Sequence, residues 1–452
     1  MAETTDVAIC GAGIAGVAAA YHLTVAGVQD VLLIEAGEPL SLTSDKSTEC
    51  YRNFWPGPGD GMVRLVNRSL DLMDALAQQS GNAFHMNRRG YLYCTADPNH
   101  LKELRRAAEE SSALGAGAVR VHPGHPETYR ASEIHAPTDG FDVLCDTAFV
   151  HTHYPWLSES IIGALHVRRA GWFSAQQLGR LLLEQVRARG TRLLRGQLQA
   201  VTTRGGRVES VSVATSAGTI HVAATAFVNA AGPWLGRVAR CVGDNLPMYC
   251  ELHAKAAIPD TARTMPRGAP LVILDDPQIL DWSVQEQATL REVGRDALVQ
   301  QLPSGLHARP EGPDASPMLL ALWPYHTPIE EPSFPLKFDE MYAEVVLRGL
   351  ERLLPAARAY RDRLPRSSVD GGYYTRTREN RPLIGPIEIQ GAYVLGALSG
   401  FGLMAAMGAG ELLATHVTGA TLPEYSRWFV PARYADAAYQ AMLPAMEGKG
   451  QL

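Results

Sequence analysis

The sequence predicts an α/β protein, a glycine-hinged βαβ unit joined to a second region with its own mixed sheet. Three observations carry that expectation. A short apolar run, Asp6–Cys10, leads directly into Gly-x-Gly-x-x-Gly at Gly11, Gly13 and Gly16. A second apolar run, Asp30–Ile34, closes on Glu35, 19 residues beyond Gly16. Late in the chain another glycine-rich turn, Gly396–Met404, again separates an apolar strand pattern from an apolar helix pattern.

The 452 residues, 46% hydrophobic and 19% charged, leave room for about two to three domains. That apolar content excludes a disordered chain, which could not offset its conformational entropy by burial. A net charge of -6 without a basic block argues against a nucleic-acid surface. Cys10, Cys50, Cys94, Cys145, Cys241 and Cys250 are scattered with no C-x-x-C pair. Neither a structural zinc site nor a disulfide framework is expected, nor any other metal site, and a reducing compartment is. Residues 1–9 are acidic where a signal peptide is basic. The apolar stretch Gly391–Gly419 is long enough to suggest a membrane span, but five further glycines, Glu411 and His416 interrupt it. It reads as strand, tight loop and buried helix, and the expected location is cytoplasmic.

The elements follow in order. After the first turn a helix runs to about Ala26, and residues 37–61, rich in Gly, Pro, Ser and Thr, form an irregular excursion. Val66, Leu70, Met73 and Leu76 place an amphipathic helix over Met62–Gln79. Tyr91–Thr95 is strand-like, and His100–Leu114 is a charged surface helix. Ser174 caps a helix that stops at Gly190. Strands are expected at Arg207–Thr215, Thr219–Val222 and Ala226–Ala231, the last closed by Gly232. From Gly243 to Arg366 short strands surround a helix at Asp339–Leu354, with a loop at 312–317, and Ala420–Leu452 is a polar, aromatic-rich tail.

The first turn has a physical logic. Gly11 permits a tight turn, Gly13 lets the backbone approach a pyrophosphate, and Gly16 lets helix and strand pack closely. With Ala12, Ile14 and Ala15 between them, the helix N-terminus offers N–H groups and a positive dipole end to phosphates. Glu35, followed by Ala36, can accept both ribose hydroxyls of an adenosine.

Three later segments decide between dinucleotides. Val228–Trp234 reads VNAAGPW, Arg381–Gly385 reads RPLIG, and Gly396–Met404 reads GALSGFGLM. In this order, behind this turn, the chain resembles the D-amino-acid oxidase/sarcosine oxidase-like (DAO) superfamily of FAD-dependent oxidoreductases, over about 1–60, 172–240 and 370–420. The resemblance implies FAD in a Rossmann-like domain of glutathione-reductase type. It places Ala230, Ala231, Gly232 and Trp234 near the adenosine, and the backbone of Leu198 against adenine. Gly396, Ser399, Gly400, Phe401, Gly402, Leu403 and Met404 would meet the flavin, where a helix N-terminus favours its reduced, negative form. Ser47 and Thr48 are candidate phosphate or ring ligands. Arg52 resembles the basic residue held against the flavin, though a solvated arginine reads the same way in sequence. Cys50 is either a covalent flavin anchor or a buried inert thiol.

The chain also departs from the family. The cysteine that attaches FAD in some sarcosine oxidase-like members falls at Gly372, so non-covalent FAD is expected. Their carboxylate-binding lysine falls at Met404 and a second basic anchor near Trp55, which suggests a more apolar pocket, with Arg376 or Arg378 as substitutes. Their oxygen-activating lysine falls near Leu322, leaving oxygen or an electron-transfer partner as the acceptor. His326, His253 and Tyr325 are candidates for tuning an amine proton, and Tyr373 and Tyr374 for an aromatic wall.

The expected organisation is an FAD domain from 1–84, 172–242 and 367–425, a substrate domain from 85–171 and 243–366, and a tail from 426–452. The expected reaction is oxidation of a C–N bond in an amine or amino acid to an imine. C–O oxidation of a 2-hydroxy acid or polyol phosphate is one alternative, and a non-catalytic FAD-bearing assembly protein is another.

Overall fold

The computed structural model describes residues 3–124, 129–131, 139–313 and 315–446. The outer ends of the acidic N-terminal run and of the C-terminal tail, and Asp314 in the 312–317 loop, lie outside the described residues.

The chain opens with strands β1 (Glu3–Cys10) and β2 (Val31–Glu35), joined by the helix Ile14–Val25. A short β3 (Cys50–Arg52) precedes the long helix Gly61–Ser80. Then come β4 (Tyr91–Thr95), β5 (Val119–His122), β6 (Phe141–Leu144), β7 (Gly163–Val167) and β8 (Ala170–Trp172). After the helix Ala175–Ala188 follow β9 (Arg192–Arg195), β10 (Gln197–Arg204), β11 (Arg207–Thr215) and β12 (Gly218–Asn229). The next strands are β13 (Tyr249–Pro259), β14 (Leu271–Leu274), β15 (Leu306–Glu311) and β16 (Met318–Leu322). Last come β17 (Ser368–Arg376), β18 (Leu383–Pro386) and β19 (Ala392–Gly396), then the helix Gly402–Thr418.

These strands form two large sheets. One runs β10-β11-β12-β1-β2-β9, with β19 added beside β12 and β18 beside β19. Its centre, β12-β1-β2-β9, is parallel, as βαβ crossovers require. The other is a nine-stranded mixed sheet, β17-β13-β16-β15-β14-β4-β7-β6-β5. β3 and β8 make a two-stranded ribbon. The helix Gly402–Thr418 crosses Ile14–Val25 almost backbone to backbone, since a Cβ on Gly410 would lie 2.7 Å from the Ala18 carbonyl. That contact fixes one glycine-rich turn relative to the other.

Three features differ from the sequence expectation. Thr219–Val222 and the first four residues of Ala226–Ala231 belong to one strand, β12. Its first half, in a hairpin with β11, is mostly exposed, residues 222–225 alternate, and its last four residues are all buried, three of them lying between β1 and β19. The excursion 37–61 contains β3, which pairs Cys50–Arg52 with Ala170–Trp172. The C-terminal segment is packed: Phe429 and Arg433 are buried, and Tyr439, Leu443 and Met446 form their own apolar cluster. Tyr439, Leu443 and Met446 sit on the helix Ala437–Met446 at the i, i+4, i+7 spacing of one buried face, a period that the sequence reading passed over.

Candidate active site

The two glycine turns open onto one cavity of about 460 Å³. At its adenosine end Glu35 is held by two backbone donors, with Ala12 N–H donating to Oε2 at 2.8 Å and Gly37 N–H to Oε1 at 2.9 Å. Gly11 adopts φ +106°, and a Cβ there would overlap the Ala230 carbonyl, so the turn demands glycine. A Cβ on Gly16 would overlap the Gly11 carbonyl. Gly13, Ile14 and Ala15 line the cavity at the helix N-terminus, where Ile14 N–H donates to Ser44 Oγ at 3.0 Å. At the far end Ser399, Gly400, Gly402 and Leu403 line it, and non-glycine residues Ala397 and Ser399 have positive φ, +52° and +47°. A pyrophosphate-facing helix terminus, a ribose-facing carboxylate and a second helix terminus thus share one elongated cavity, an arrangement that fits FAD.

A second cavity, about 450 Å³, meets the first at Tyr374 and Gly400. Its walls mix apolar residues, including Phe54, Leu322 and Met404, with polar ones, and Tyr91 and Tyr93 also line it. Arg52 lies in it, 2% exposed, and its Nε and Nη2 have no hydrogen-bond partner. The guanidinium sits 4.8 Å over the Trp55 ring, which in turn meets Phe401 edge-on at 5.1 Å. His100, Glu103, Arg106 and Asp275 also line this cavity, with His100 Nε2 2.8 Å from Asp275. The Asp275 carboxylate, followed by Glu103, lifts the His100 imidazole to about 9 against its burial. Burial pushes the Tyr93 and Tyr374 phenols up to about 12, so both are neutral donors.

The loop between the cavities is braced from the nine-stranded sheet. Lys255 on β13 donates to the Ser47 carbonyl at 2.8 Å. Arg309 on β15, fully buried, donates to the Thr48 carbonyl at 2.9 Å and pairs with Glu49 and Glu311. Glu49 Oε1 also accepts from Ala175 N–H at 2.8 Å.

Of the cofactor candidates, Gly11, Gly13, Ile14, Ala15, Glu35, Ala36, Ser47, Leu198, Ala230, Ala231, Gly232, Trp234, Gly396, Ser399, Gly400, Gly402 and Leu403 line the first cavity. Ala12 and Gly16 shape the turn from behind. Thr48, Arg52 and Met404 line the second cavity, and Phe401 is buried against Trp55. Tyr374 faces both cavities, whereas His253 lies behind it, stacked on its ring. His326 is exposed and lines neither; Tyr325 stacks on Tyr342 and lines neither. Arg376 is engaged by Glu251 at 2.6 Å, and Arg378 is exposed. Trp55 supports Arg52 rather than walling the cavity, and Cys50 lines it with its thiol pushed up by burial. Sequence reasoning did not single out Ser44, Arg237, Asp275 or His307, each of which lines a cavity. Among the described residues no cluster of three or more His, Cys, Asp or Glu could hold a metal ion, and no helix is long and apolar enough to cross a membrane.

Comparison with known proteins agrees with this geometry. Residues 6–416 match the family model described as FAD dependent oxidoreductase (DAO). Dimethylglycine dehydrogenase of Rattus norvegicus is 21% identical over 416 residues, 91% of this chain. The pyruvate dehydrogenase phosphatase regulatory subunit of Mus musculus is 23% identical over 250 residues, 55% of this chain. The match spans only 43% and 25% of those relatives' own lengths. Among solved structures, L-proline dehydrogenase from P. horikoshii superimposes with a TM-score of 0.73 at 19% identity, covering 96% of this chain and 99% of that one. Glycine oxidase from Geobacillus kaustophilus gives 0.72 at 18%, covering 95% and 98%. These identities speak to the fold.

Proposed function

The chain belongs to the DAO family of FAD-dependent oxidoreductases, and from that premise we propose that it oxidises the C–N bond of a small amino acid, secondary or primary, to an imine that water hydrolyses. The observation that carries this reading is Arg52, a buried guanidinium with unpartnered nitrogens in the cavity that meets the cofactor cavity. A buried cation without a counter-ion is costly, and a substrate carboxylate supplies the missing partner. The named relatives that act on dimethylglycine, proline and glycine support the same class.

FAD, when bound, supplies a two-electron acceptor for the substrate C–H bond. The chain's own residues do the rest. Arg52 anchors the carboxylate, and Tyr374 with Gly400 forms the wall between substrate and cofactor. Phe54, Leu322 and Met404 give the cavity an apolar side, and contact with it disfavours the ammonium and favours the neutral amine that loses hydride. Gly372 in place of a cysteine supports non-covalent FAD, and Leu322 in place of a lysine supports an acceptor other than oxygen. Six free cysteines support a reducing compartment such as the cytoplasm.

Anaerobic visible spectroscopy of the purified flavoprotein tests the proposal. Glycine, N-methylglycine, L-proline and D-alanine are added in turn, and at least one should bleach the flavin band. Bleaching by 2-hydroxy acids or glycerol phosphate alone transfers the reading to C–O oxidation. A flavin that nothing bleaches leaves the non-catalytic alternative, to which the match with a regulatory subunit belongs. Re-admitting air then shows whether oxygen takes the electrons.

A further inference from the structure

His307 sits on β15, where side chains alternate between faces. Leu306 and Ala308 enter the apolar core of the nine-stranded sheet. His307 and Arg309 therefore project the other way, and Arg309 reaches the Thr48 carbonyl beside the flavin-proximal loop. The imidazole lines the same cavity as Arg52. Its Nδ1 lies 3.0 Å from the Gly305 carbonyl. A carbonyl only accepts, so Nδ1 carries the hydrogen and the neutral ring keeps a lone pair on Nε2. The cross-strand neighbours Ile273 and Leu322 are apolar and offer Nε2 nothing to bind.

We propose that His307 Nε2 is the acceptor for the proton that the substrate ammonium sheds before oxidation. The inference rests on the amine reading above. In this step one N–H bond of the ammonium breaks, its electron pair stays on nitrogen as the amine lone pair, and the proton forms a new N–H bond at Nε2. No electrons change hands. The products are a neutral amine, poised to lose hydride, and an imidazolium.

The charges around the ring shape that step. Burial is the main force lowering the imidazole, to about 4, and the cations Arg52 from β3, His253 when protonated from β13, and Arg309 from its own strand add to it. Tyr91 and Tyr93 face the cavity from β4 and Tyr374 from β17, all as neutral phenols; Cys50 is a neutral thiol. Asp275, Glu103, His100 and Arg106 complete the cavity's charged groups. A carboxylate bound to Arg52 offsets the largest of these cationic contributions, and to that extent makes Nε2 more basic.

The experiment compares wild-type holoprotein with His307→Asn and His307→Gln, neither of which can take the proton. Long-range ¹⁵N NMR of histidine-labelled protein reads the tautomer, with the His307 signals assigned by their loss in the variants. The expected state between pH 6 and 8 is neutral with hydrogen on Nδ1; hydrogen on Nε2 overturns the proposal. Stopped-flow reduction is then followed with N-methylglycine, glycine and L-proline from pH 6 to 9. Wild-type rates should vary by less than about threefold, whereas the variants should gain about tenfold per pH unit, tracking the free-amine fraction. Wild-type bleaching with parallel profiles in all three proteins overturns the proton acceptor alone. A wild type that no probe bleaches removes the amine reading, and the acceptor with it.

Discussion

The imidazole of His253 lies flat against the phenol ring of Tyr374, with centroids 3.9 Å apart and planes 16° from parallel. His253 is fixed by Glu251 at 3.1 Å, and Glu251 by Arg376 at 2.6 Å. Burial pushes Glu251 up, but hydrogen bonds from His253 and Arg376 outweigh it and hold the carboxyl below its ordinary range. At the Cδ2–Cε2 edge of the ring, a Cβ on Gly400 would come within 2.6 Å of Tyr374. The phenol thus touches both a stacked imidazole and a glycine backbone at the junction of the two cavities.

The ring therefore matters more than its hydroxyl. Tyr374→Phe should keep kcat/KM within about threefold, because the aromatic pair, worth about 0.5–1.5 kcal/mol, is retained. Tyr374→Ala should lower it by about tenfold or more by removing both stack and wall. Steady-state kinetics on the amino acid that reduces the flavin decides the matter; equal losses in both variants would put the hydroxyl in the chemistry.

Arg52 sets stability against function. Arg52→Met removes an incompletely paired buried charge, so the melting temperature should rise by about 2–5 °C. The same substitution should cost about 2–5 kcal/mol of carboxylate binding, lowering kcat/KM by about 30-fold or more. Differential scanning fluorimetry and kinetics on one preparation test both, and a destabilised variant would mean the guanidinium is already satisfied.

Gly13 separates cofactor binding from folding. Its φ is -70°, and a Cβ would meet only Ser44 Oγ at 3.3 Å, so Gly13→Ala should fold. The methyl group occupies the approach to the pyrophosphate and should weaken FAD binding by about tenfold or more. Flavin content after purification and titration of FAD into the apoprotein measure it.

Stability should fall as pH drops below neutrality. Burial lowers His22 to about 4 and His307 to about 4, against an ordinary imidazole near 6.5. Below pH 6.5 the unfolded chain binds protons that the folded one refuses, so unfolding becomes easier down to about pH 4, where the folded imidazoles also protonate. Each such histidine contributes a slope of up to about 1.4 kcal/mol per pH unit. Urea titrations at pH 7, 6 and 5 should show the decline, and His22→Leu should reduce it by about one proton's worth.

The C-terminal segment is held by Arg433 and Glu379, whose side chains are 1% and 0% exposed and 2.8 Å apart. Tyr434 and Tyr439 donate to the same carboxylate oxygen, at 2.7 and 2.9 Å. Arg433→Met would strand a buried carboxylate and should destabilise the protein by about 3–5 kcal/mol. A double variant adding Glu379→Gln should recover part of that loss in urea unfolding.

How much was legible depended on range. The first turn could be read because strand, glycines, helix and Glu35 are contiguous, and each residue's role follows from local backbone geometry. Arg52 was visible by resemblance, but beside the neighbouring Trp55 its guanidinium packs near Tyr91, which only the fold brings to it. His307 carried no signal, since one histidine in Leu306–Glu311 looks like any strand residue. His326, which the sequence favours through Trp323-Pro324-Tyr325-His326, lies just past β16, whereas His307 pairs across to Leu322 inside the sheet. The tail's anchoring was opaque for the same reason, as Arg433 finds Glu379 across 54 residues.

Lys255 and Arg309 have a mechanical consequence. Both belong to the nine-stranded sheet, yet both grip carbonyls of the loop that leaves β2 for the cofactor cavity. Two such rivets tie the loop to the sheet, because pulling it away would cost the buried Arg309 guanidinium its bonds to Thr48 and Glu49 and leave it only its own strand's Pro310 and Glu311.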